Sequence, residues 1–165
     1  MTSEHLLHTI PPIYDGNSKI LILGSFPSVK SREVSFYYGH PQNRFWRVLA
    51  AILGCAVPSS NEEKTALLHS HNIALWDVIK SCDIVGSSDS SIKNVVPNDI
   101  GAILSSCGIR QIYSNGKTSE KLFNKYIKDT VGRDTVALPS TSPANASYNL
   151  ERLTDSWSVI KNNIR

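Results

Sequence analysis

The chain has few of the residues that mark a secreted, disulfide-bonded or metal-binding protein. Its 165 residues include only three cysteines and no Cys-x-x-Cys pair. An odd number of widely spaced cysteines predicts neither a disulfide framework nor a zinc site, and an iron–sulfur cluster would need a fourth thiolate. We therefore expect reduced, buried side chains in an intracellular protein at Cys55, Cys82 and Cys107.

Membrane-spanning and targeting patterns are also missing. No apolar run approaches the length that crosses a membrane, and the N-terminus lacks the basic and then apolar pattern of a signal peptide. The five histidines are not arranged with carboxylates or cysteines as a convincing ligand set, so we expect no metal and no cofactor. These absences predict a soluble protein of the cytoplasm, associated with the nucleoid if the source is bacterial.

What the chain does contain is typical of one globular domain. Apolar residues make up 41% and charged residues 19%, and the length is sufficient for a buried core, so we expect a single domain over residues 1–165. The formal net charge of +3 is compatible with a polyanionic partner but does not by itself indicate one.

Strand and helix patterns alternate along the chain. Strands are predicted over 19–26, 110–114 and 134–138, with a further apolar stretch over 73–79 before a polar loop at 86–91. Helices are predicted from Asn43, from a capping box at Ser60 and Glu63 to about His69, over 98–107, and from Thr118. A last helix places one apolar stripe inward, formed by Leu150, Leu153, Trp157, Ile160 and Ile164. This alternation predicts an α/β fold: a single three-layer domain with a mostly parallel central sheet flanked by helices.

Three strand ends carry polar and flexible residues, at 24–28, 115–117 and 142–145. In a parallel sheet they lie at the same carboxyl edge, where open α/β sheets bind their ligands. Each segment alone is a common turn or loop sequence, so the prediction of one cleft depends on their combination.

The longest of these segments has a specific resemblance. Residues 24–28 read Gly-Ser-Phe-Pro-Ser, and residues 37–46 read Tyr-Tyr-Gly-His-Pro-Gln-Asn-Arg-Phe-Trp. Together they resemble the hypoxanthine-DNA glycosylase branch of the uracil-DNA glycosylase superfamily. Residues 142–145, Ser-Pro-Ala-Asn, stand where that superfamily carries its second motif. The resemblance runs from about Lys19 to Ser147 and implies a repair enzyme that hydrolyses the N-glycosidic bond of a flipped deaminated base.

One position departs from the related branches. Mismatch-specific relatives have Asn at the third place of the first motif and other branches have an acidic residue, whereas this chain has Phe26. The usual group that positions water is therefore absent there. This departure argues against strong uracil activity and leaves open a non-catalytic module that binds damaged DNA. An enzyme of the same fold acting mainly on uracil or xanthine is the other alternative.

The predicted catalytic residue is Asn43, because a side-chain amide can orient a neutral water. The same residue directly precedes a helical pattern, so it is also a good N-cap, and the two roles are compatible. No lysine in the motif region is obviously desolvated, which favours hydrolysis over a lyase route.

A base pocket is expected from six residues: Gly24, Ser25, Phe26, Tyr38, Phe45 and Asn115. The three aromatic rings are candidates for stacking on the flipped base, although Phe45 suits a helix core equally well. Backbone N–H groups of Ser25 and Phe26 can bind purine oxygens. The Asn115 amide can match both O6 and N1–H of hypoxanthine, unless it only makes an Asn-Gly turn.

Contacts to DNA containing deaminated bases are expected from the two motif loops, with the protein acting as a monomer. The predicted residues are Pro27, Ser28, His40, Ser142, Pro143, Ala144 and Asn145. Ala144 or a neighbour is expected to fill the vacated space in the base stack. His40 is expected to contact a phosphate or the leaving base, or else to be a turn residue. The nearby basic residues are candidates for phosphate contacts or for solvated surface: Lys30, Arg32, Arg44, Arg47 and Lys117. Asp77 and Asp89 are expected to cap or orient loops.

Overall fold

A computed structural model describes residues 2–165. In chain order its elements are β1 (Glu4–Leu7), β2 (Ile20–Gly24), α1 (Val29–Val34), α2 (Phe45–Leu53), α3 (Asn61–Ser70), β3 (Ile73–Asp77), β4 (Ile79–Ile84), β5 (Lys93–Pro97), α4 (Ile100–Ser106), β6 (Gln111–Asn115), α5 (Lys117–Tyr126), α6 (Lys128–Val131), β7 (Thr135–Leu138) and α7 (Leu150–Trp157). Short 3₁₀ turns cover Asp89–Ser91 and Ser158–Asn162.

The central sheet is parallel and has the strand order β3-β2-β6-β7. Of its four strands, β2 comes first in sequence; it lies inside the sheet and is completely buried. The register aligns Gly24 with Asp77 and Asn115 with Leu138, so these strand ends meet at one carboxyl edge.

Two cores lie on opposite faces of this sheet because successive strand side chains point to opposite faces. Ile20 and Ile22 pack into one core with α2, α3 and α7, whereas Leu21 and Leu23 pack into the other with α4 and α5. The continuous apolar run of β2 is what a strand covered on both faces requires. The predicted three-layer α/β architecture is therefore confirmed.

A second sheet was not predicted. It is antiparallel, with the order β1-β4-β5. Its central strand, β4, follows directly after β3 of the central sheet. Its outer strands β1 and β5 are short and mostly exposed, so they lack the apolar run or the clean alternation that identifies a strand in a sequence. This sheet places the residue after β1, His8, beside the central sheet.

Several predicted boundaries and burials change. The helix expected from Asn43 begins at Phe45, and the last regular helix ends at Trp157. The predicted inward stripe of that helix is wrong for Leu150, which is 39% exposed because it stands in the first turn; its other members are buried. The expectation of buried cysteines is wrong for Cys55, which is exposed just past the end of α2.

The Ser60 half of the capping box is confirmed, since its hydroxyl oxygen accepts the Glu63 N–H at 3.0 Å, whereas the Glu63 carboxylate accepts the N–H of Ser59 at 3.0 Å instead of that of Ser60. Among residues 2–165, no helix combines the length and apolar character needed to cross a membrane.

Candidate active site

A cavity of about 410 Å³ opens at the carboxyl edge of the central sheet. Four segments form its walls: the loop after β2, the segment before α2, the turn before β5 and the loop after β7. The lining residues of these segments are 24–28, 31, 37, 38, 43, 84, 87–90, 140–142 and 144. Asp77 and Asn115, at the ends of β3 and β6, complete the lining. The three strand ends identified in the sequence therefore do meet in one cleft.

Phe26 lines the cavity and is held in place by Arg32. The guanidinium carbon of Arg32 lies 5.8 Å from the centre of the Phe26 ring, and its nitrogens donate to the carbonyl oxygens of Pro27 at 2.8 Å and Gly86 at 3.1 Å. Arg32 is thus engaged in fixing the loop after β2. Phe26 remains a candidate for stacking on a base.

Tyr38 and Phe45 form a stacked pair with ring centres 4.2 Å apart and planes inclined by 22°. Tyr38 lines the cavity, but Phe45 does not and is only 1% exposed. The helix-core alternative therefore holds for Phe45: it supports the Tyr38 ring from behind instead of touching a base. Tyr38 adopts a left-handed backbone with φ of +53°, which non-glycine residues tolerate at a cost of about 1–3 kcal/mol.

Asn43 is part of the cavity wall, and it stands one residue before the N-cap of α2, which is Arg44 and not Asn43 as the sequence suggests; its side chain still satisfies the first N–H of the helix. Its side-chain oxygen accepts the Phe45 N–H at 3.0 Å and the Thr141 hydroxyl at 2.9 Å. The Thr141 hydroxyl in turn accepts from the Asn115 amide at 3.0 Å, while the Asn115 oxygen accepts the Thr141 N–H at 3.0 Å. Asn115 therefore holds the loop after β7, and a hydrogen-bonded chain joins the two predicted motif loops through Thr141.

Arg44 fastens the same two loops. Its guanidinium donates to the carbonyl oxygens of Ser142 at 2.8 Å, Asn145 at 3.1 Å and Thr141 at 3.4 Å, and also to that of Tyr148. With its donors committed to carbonyls, Arg44 is a structural clamp, so its predicted alternative role at a DNA phosphate is not supported.

The remaining predicted DNA contacts surround the mouth of the cavity. Pro27, Ser28, Ser142 and Ala144 line it. His40 does not; its ring Nδ1 accepts the Gln42 N–H at 3.0 Å, which is the turn role.

Pro143 and Asn145 lie outside the cavity lining. Pro143 is exposed on the same loop, and the Asn145 amide donates to the Ser140 carbonyl at 3.0 Å. Asn145 therefore shapes this loop from within.

Two carboxylates face this cavity, although the sequence predicts only loop-orienting roles for them. Asp77 is 4% exposed and accepts a 2.7 Å hydrogen bond from His8 Nε2. Asp89 lies near the Ser25 hydroxyl, at 3.5 Å. Asp89 as a residue is exposed, but desolvation of its carboxyl group by the surrounding loops raises its pKa, and hydrogen bonds from Thr118 and Ser25 partly offset the rise.

Sequence reasoning missed His8, Asp77 and Thr141 as site residues. Asp77 ends a strand that neighbours β2, so recognising 73–77 as a strand would have identified a fourth polar strand end. The partner of Asp77 lies 69 residues away in sequence, and no local pattern indicates it. Among residues 2–165, no group of three or more His, Cys, Asp or Glu side chains is placed to hold a metal ion.

A three-layer α/β domain with a cavity at the carboxyl edge of its sheet belongs to the class of open α/β proteins that bind ligands at this edge, and comparison with known proteins identifies the family. The model of the uracil DNA glycosylase superfamily matches residues 11–162. The chain therefore belongs to the uracil DNA glycosylase superfamily, as the motif resemblance predicts.

Two relatives and one solved structure narrow the comparison. A hypoxanthine DNA glycosylase of Methanosarcina barkeri (strain Fusaro / DSM 804) is 36% identical over 82% of this chain and 85% of the relative. One of Methanosarcina acetivorans is 34% identical over 91% of this chain and 94% of its own length. The solution NMR structure of a Methanosarcina acetivorans protein, described as a candidate uracil DNA glycosylase, is similar with a TM-score of 0.79 and 33% identity, covering 92% of this chain and 94% of the other.

Proposed function

We propose that this chain is a monofunctional DNA glycosylase that hydrolyses the N-glycosidic bond of a flipped, deaminated base, hypoxanthine above all, and leaves an abasic site. The observation that carries the proposal is a cavity lined by Asn43 and by both loops that resemble the superfamily motifs. Its volume of about 410 Å³ suits a small-molecule pocket. Both Methanosarcina relatives are named hypoxanthine DNA glycosylase, which supports the same base here.

The reaction breaks the bond between C1′ and the base, and the bonding electrons leave with the base. Water adds its hydroxyl to the electron-poor sugar carbon, and the proton that it gives up is balanced by protonation of the released base anion through solvent. The Asn43 oxygen is committed to Phe45 and Thr141, whereas its Nδ2 makes no hydrogen bond within residues 2–165. Asn43 therefore acts as a donor that holds the water oxygen, and Thr141 and Phe45 fix the direction of that donor.

Hydrolysis is favoured over a lyase route by the residues of the cavity. A lyase requires an amine nucleophile, and among residues 2–165 no lysine lines the cavity. Negative charge on the departing base needs donors aimed at it. Backbone N–H groups of Ser25 and Phe26, at the end of β2, are the candidates for that role.

DNA binds across the mouth of the cavity. Ser28 and Ser142 contact the phosphates beside the flipped nucleotide, and exposed Ala144 enters the vacated space. One domain, residues 1–165, carries out binding and chemistry as a monomer without a cofactor. The protein works wherever the cell keeps its DNA, which is the cytoplasm and nucleoid in a bacterium.

The test is cleavage of duplex oligonucleotides that carry one deoxyinosine, deoxyuridine or deoxyxanthosine, followed by alkali to break abasic sites. Wild type is expected to act on deoxyinosine, and Asn43→Ala is expected to abolish that activity while remaining folded. Asn61→Ala, at the exposed start of α3, is the matched control and should retain full activity.

Other outcomes point to the alternatives. Activity confined to uracil or xanthine would show that the enzyme excises one of these bases instead of hypoxanthine. Binding of damaged DNA without cleavage of any substrate would make the protein a non-catalytic damaged-DNA-binding module, the alternative that Phe26 at the third motif position leaves open.

A further inference from the structure

The floor of the cavity holds a buried carboxylate with one free oxygen. Oδ2 of Asp77 accepts from His8 Nε2 at 2.7 Å, and the two side chains are only 5% and 2% exposed. The other oxygen, Oδ1, lies beside Gly24, where a built Cβ atom would come within 2.4 Å of it. Only glycine at position 24 fits this close approach without displacing the oxygen, and Asp77 lines the cavity beside it.

A buried hydroxyl without a partner stands next to it. The Tyr38 hydroxyl is shielded from solvent and makes no hydrogen bond of good geometry within residues 2–165, although the Asn115 side chain lies close to it. The hydroxyl lies 3.2 Å from the same built Cβ position on Gly24. The hydroxyl and Asp77 Oδ1 thus lie close to the same point beside Gly24, and both residues line the cavity. A buried polar group left without a partner is costly, so a hydroxyl of this kind calls for a ligand.

The position of the hydroxyl is fixed by the surrounding structure. The Tyr38 ring is stacked on buried Phe45, and its backbone has a φ of +53°. Burial and the nearby Asp77 carboxylate raise the pKa of Tyr38 far above its ordinary value. The phenol therefore keeps its proton and acts as a donor, whereas the carboxylate is an acceptor.

These two groups match the edge that deamination creates on a base. Hypoxanthine presents O6, which accepts, beside N1–H, which donates; uracil and xanthine present the same pair of groups. Adenine and cytosine present the reverse, an amino donor beside a ring nitrogen with a lone pair. Opposite Asp77 that lone pair would meet another acceptor, and opposite Tyr38 the amino group would meet a donor.

We propose that Asp77 and Tyr38 read the deaminated edge of the flipped base: the carboxylate accepts the imino N–H, and the phenol donates to the adjacent carbonyl. This reading rests on the proposed glycosylase function and assigns its substrate class, bases with an imino proton next to a carbonyl. It separates hypoxanthine from adenine. It does not separate hypoxanthine from guanine, which shares the edge and differs by its 2-amino group.

His8 is a positioning residue in this arrangement. Its ring, reached from the end of β1, occupies Oδ2 and leaves Oδ1 as the acceptor. His8→Gln keeps a donor at that place and should preserve the rate at deoxyinosine, whereas His8→Leu should reduce it. A role for His8 in packing alone would make the two variants equal.

The experiment compares Asp77→Asn and Tyr38→Phe with wild type by single-turnover cleavage of deoxyinosine and deoxyadenosine duplexes. A second readout is the dissociation constant for a duplex with a tetrahydrofuran abasic analogue, which has no base to read. We expect each variant to cleave deoxyinosine about 10- to 100-fold more slowly, as loss of a charge-assisted or buried hydrogen bond implies. Binding of the abasic duplex should stay within about twofold of wild type, and the preference for hypoxanthine over adenine should narrow.

The outcomes separate the two proposals. A wild type that cleaves no deaminated base overturns the proposed function. A wild type that cleaves deoxyinosine, with both variants retaining its rate and preference, overturns only the reading by Asp77 and Tyr38. Equal losses on the abasic duplex and on deoxyinosine also overturn it, because they indicate general damage. If Asp77→Asn does not fold, Tyr38→Phe decides. The exposed Asp129→Asn is the control for removing a carboxylate.

Discussion

Thr141 is the residue on which the geometry of Asn43 depends most directly. It is fully buried, donates to Asn43 and accepts from Asn115, so one hydroxyl links the two motif loops. Removing it leaves polar groups of both amides without a partner and lets the Asn43 donor turn away from the water.

We expect Thr141→Val to lower the free energy of unfolding by about 1–3 kcal/mol and the cleavage rate by about 10- to 100-fold. Thr141→Ser keeps the hydroxyl and should retain most of the activity. Denaturant titration and single-turnover kinetics measure the two effects. Equal activity in the Val and Ser variants would show that the hydroxyl does not position Asn43.

Asp89 gives a pH-dependent prediction. Its pKa is raised in the folded protein, chiefly by desolvation of the carboxyl group, so the folded state holds the proton more tightly than the unfolded state does. Because the residue is exposed, solvent screening keeps the effect small. Its contribution to stability is therefore greatest below its ordinary pKa of 3.8 and is lost as the pH rises through the folded value.

Asp89→Asn, which cannot ionise, should accordingly raise the melting temperature at pH 7 relative to wild type. The difference should shrink as the pH falls toward 4. Thermal melts at several pH values check this, with Asp129→Asn as an exposed control. A constant difference between the two curves at every pH would contradict it.

At the scale of elements, the loop after β7 depends on one side chain of the segment before α2. Arg44 satisfies carbonyl oxygens of that loop from residues 141 to 148. This clamp and the hydrogen bonds of Asn115 to Thr141 therefore both hold the loop in place.

We expect Arg44→Met to lower the free energy of unfolding by about 3 kcal/mol, since several charge-assisted hydrogen bonds are lost together. DNA affinity should fall because the loop loosens, but the slope of log affinity against log salt should not change. Removing a phosphate-binding residue would reduce that slope by about 0.9.

Exposed Lys117, at the start of α5, is the matched candidate for a phosphate contact. Lys117→Met should reduce the slope without changing the free energy of unfolding. A reduced slope for Arg44→Met would show that the Arg44 side chain contacts a DNA phosphate.

For the whole molecule, the two cores depend on one strand. Ile22 and Leu23 are neighbours on β2, yet they pack on opposite faces of the sheet, and both are completely buried. Because both helical layers are anchored to the same strand, they should unfold together.

Ile22→Ala and Leu23→Ala should each lower the free energy of unfolding by about 2–5 kcal/mol and give one denaturation transition by tryptophan fluorescence and by circular dichroism. Exposed Val136→Ala, on β7, should change stability little. Transitions that separate between the two probes in one variant would show that the layers unfold independently.

The fold was predictable where burial leaves a strong local pattern. The run Ile20–Leu23 and the helical spacing of α2 are such patterns, and both elements were found close to their observed bounds. Strands β1 and β5 were missed because they are short and exposed, and their partners are distant in sequence. Pairing between distant segments leaves no periodic signal along either one.

The candidate site was predictable in its loops and less so in its contacts. The motif resemblance, together with residue types at strand ends, led to Phe26, Asn43 and the segment 142–145, and the structure brings these segments to one cavity. The burial of Phe45 behind Tyr38 and the commitment of Arg44 to carbonyls depend on how loops from opposite halves of the chain meet.

The sequence by itself determined the layer architecture, the sheet edge that carries the site and the superfamily, because apolar periodicity and motif residues are local properties. Only the tertiary structure decided which polar atoms remain free. It commits the oxygen of Asn43 and leaves its amide nitrogen, and it joins His8 to Asp77 across 69 residues. Hydrogen bonds are directional and act over about 3 Å. The chemistry left to a side chain is therefore set by neighbours that the chain brings together only when it folds.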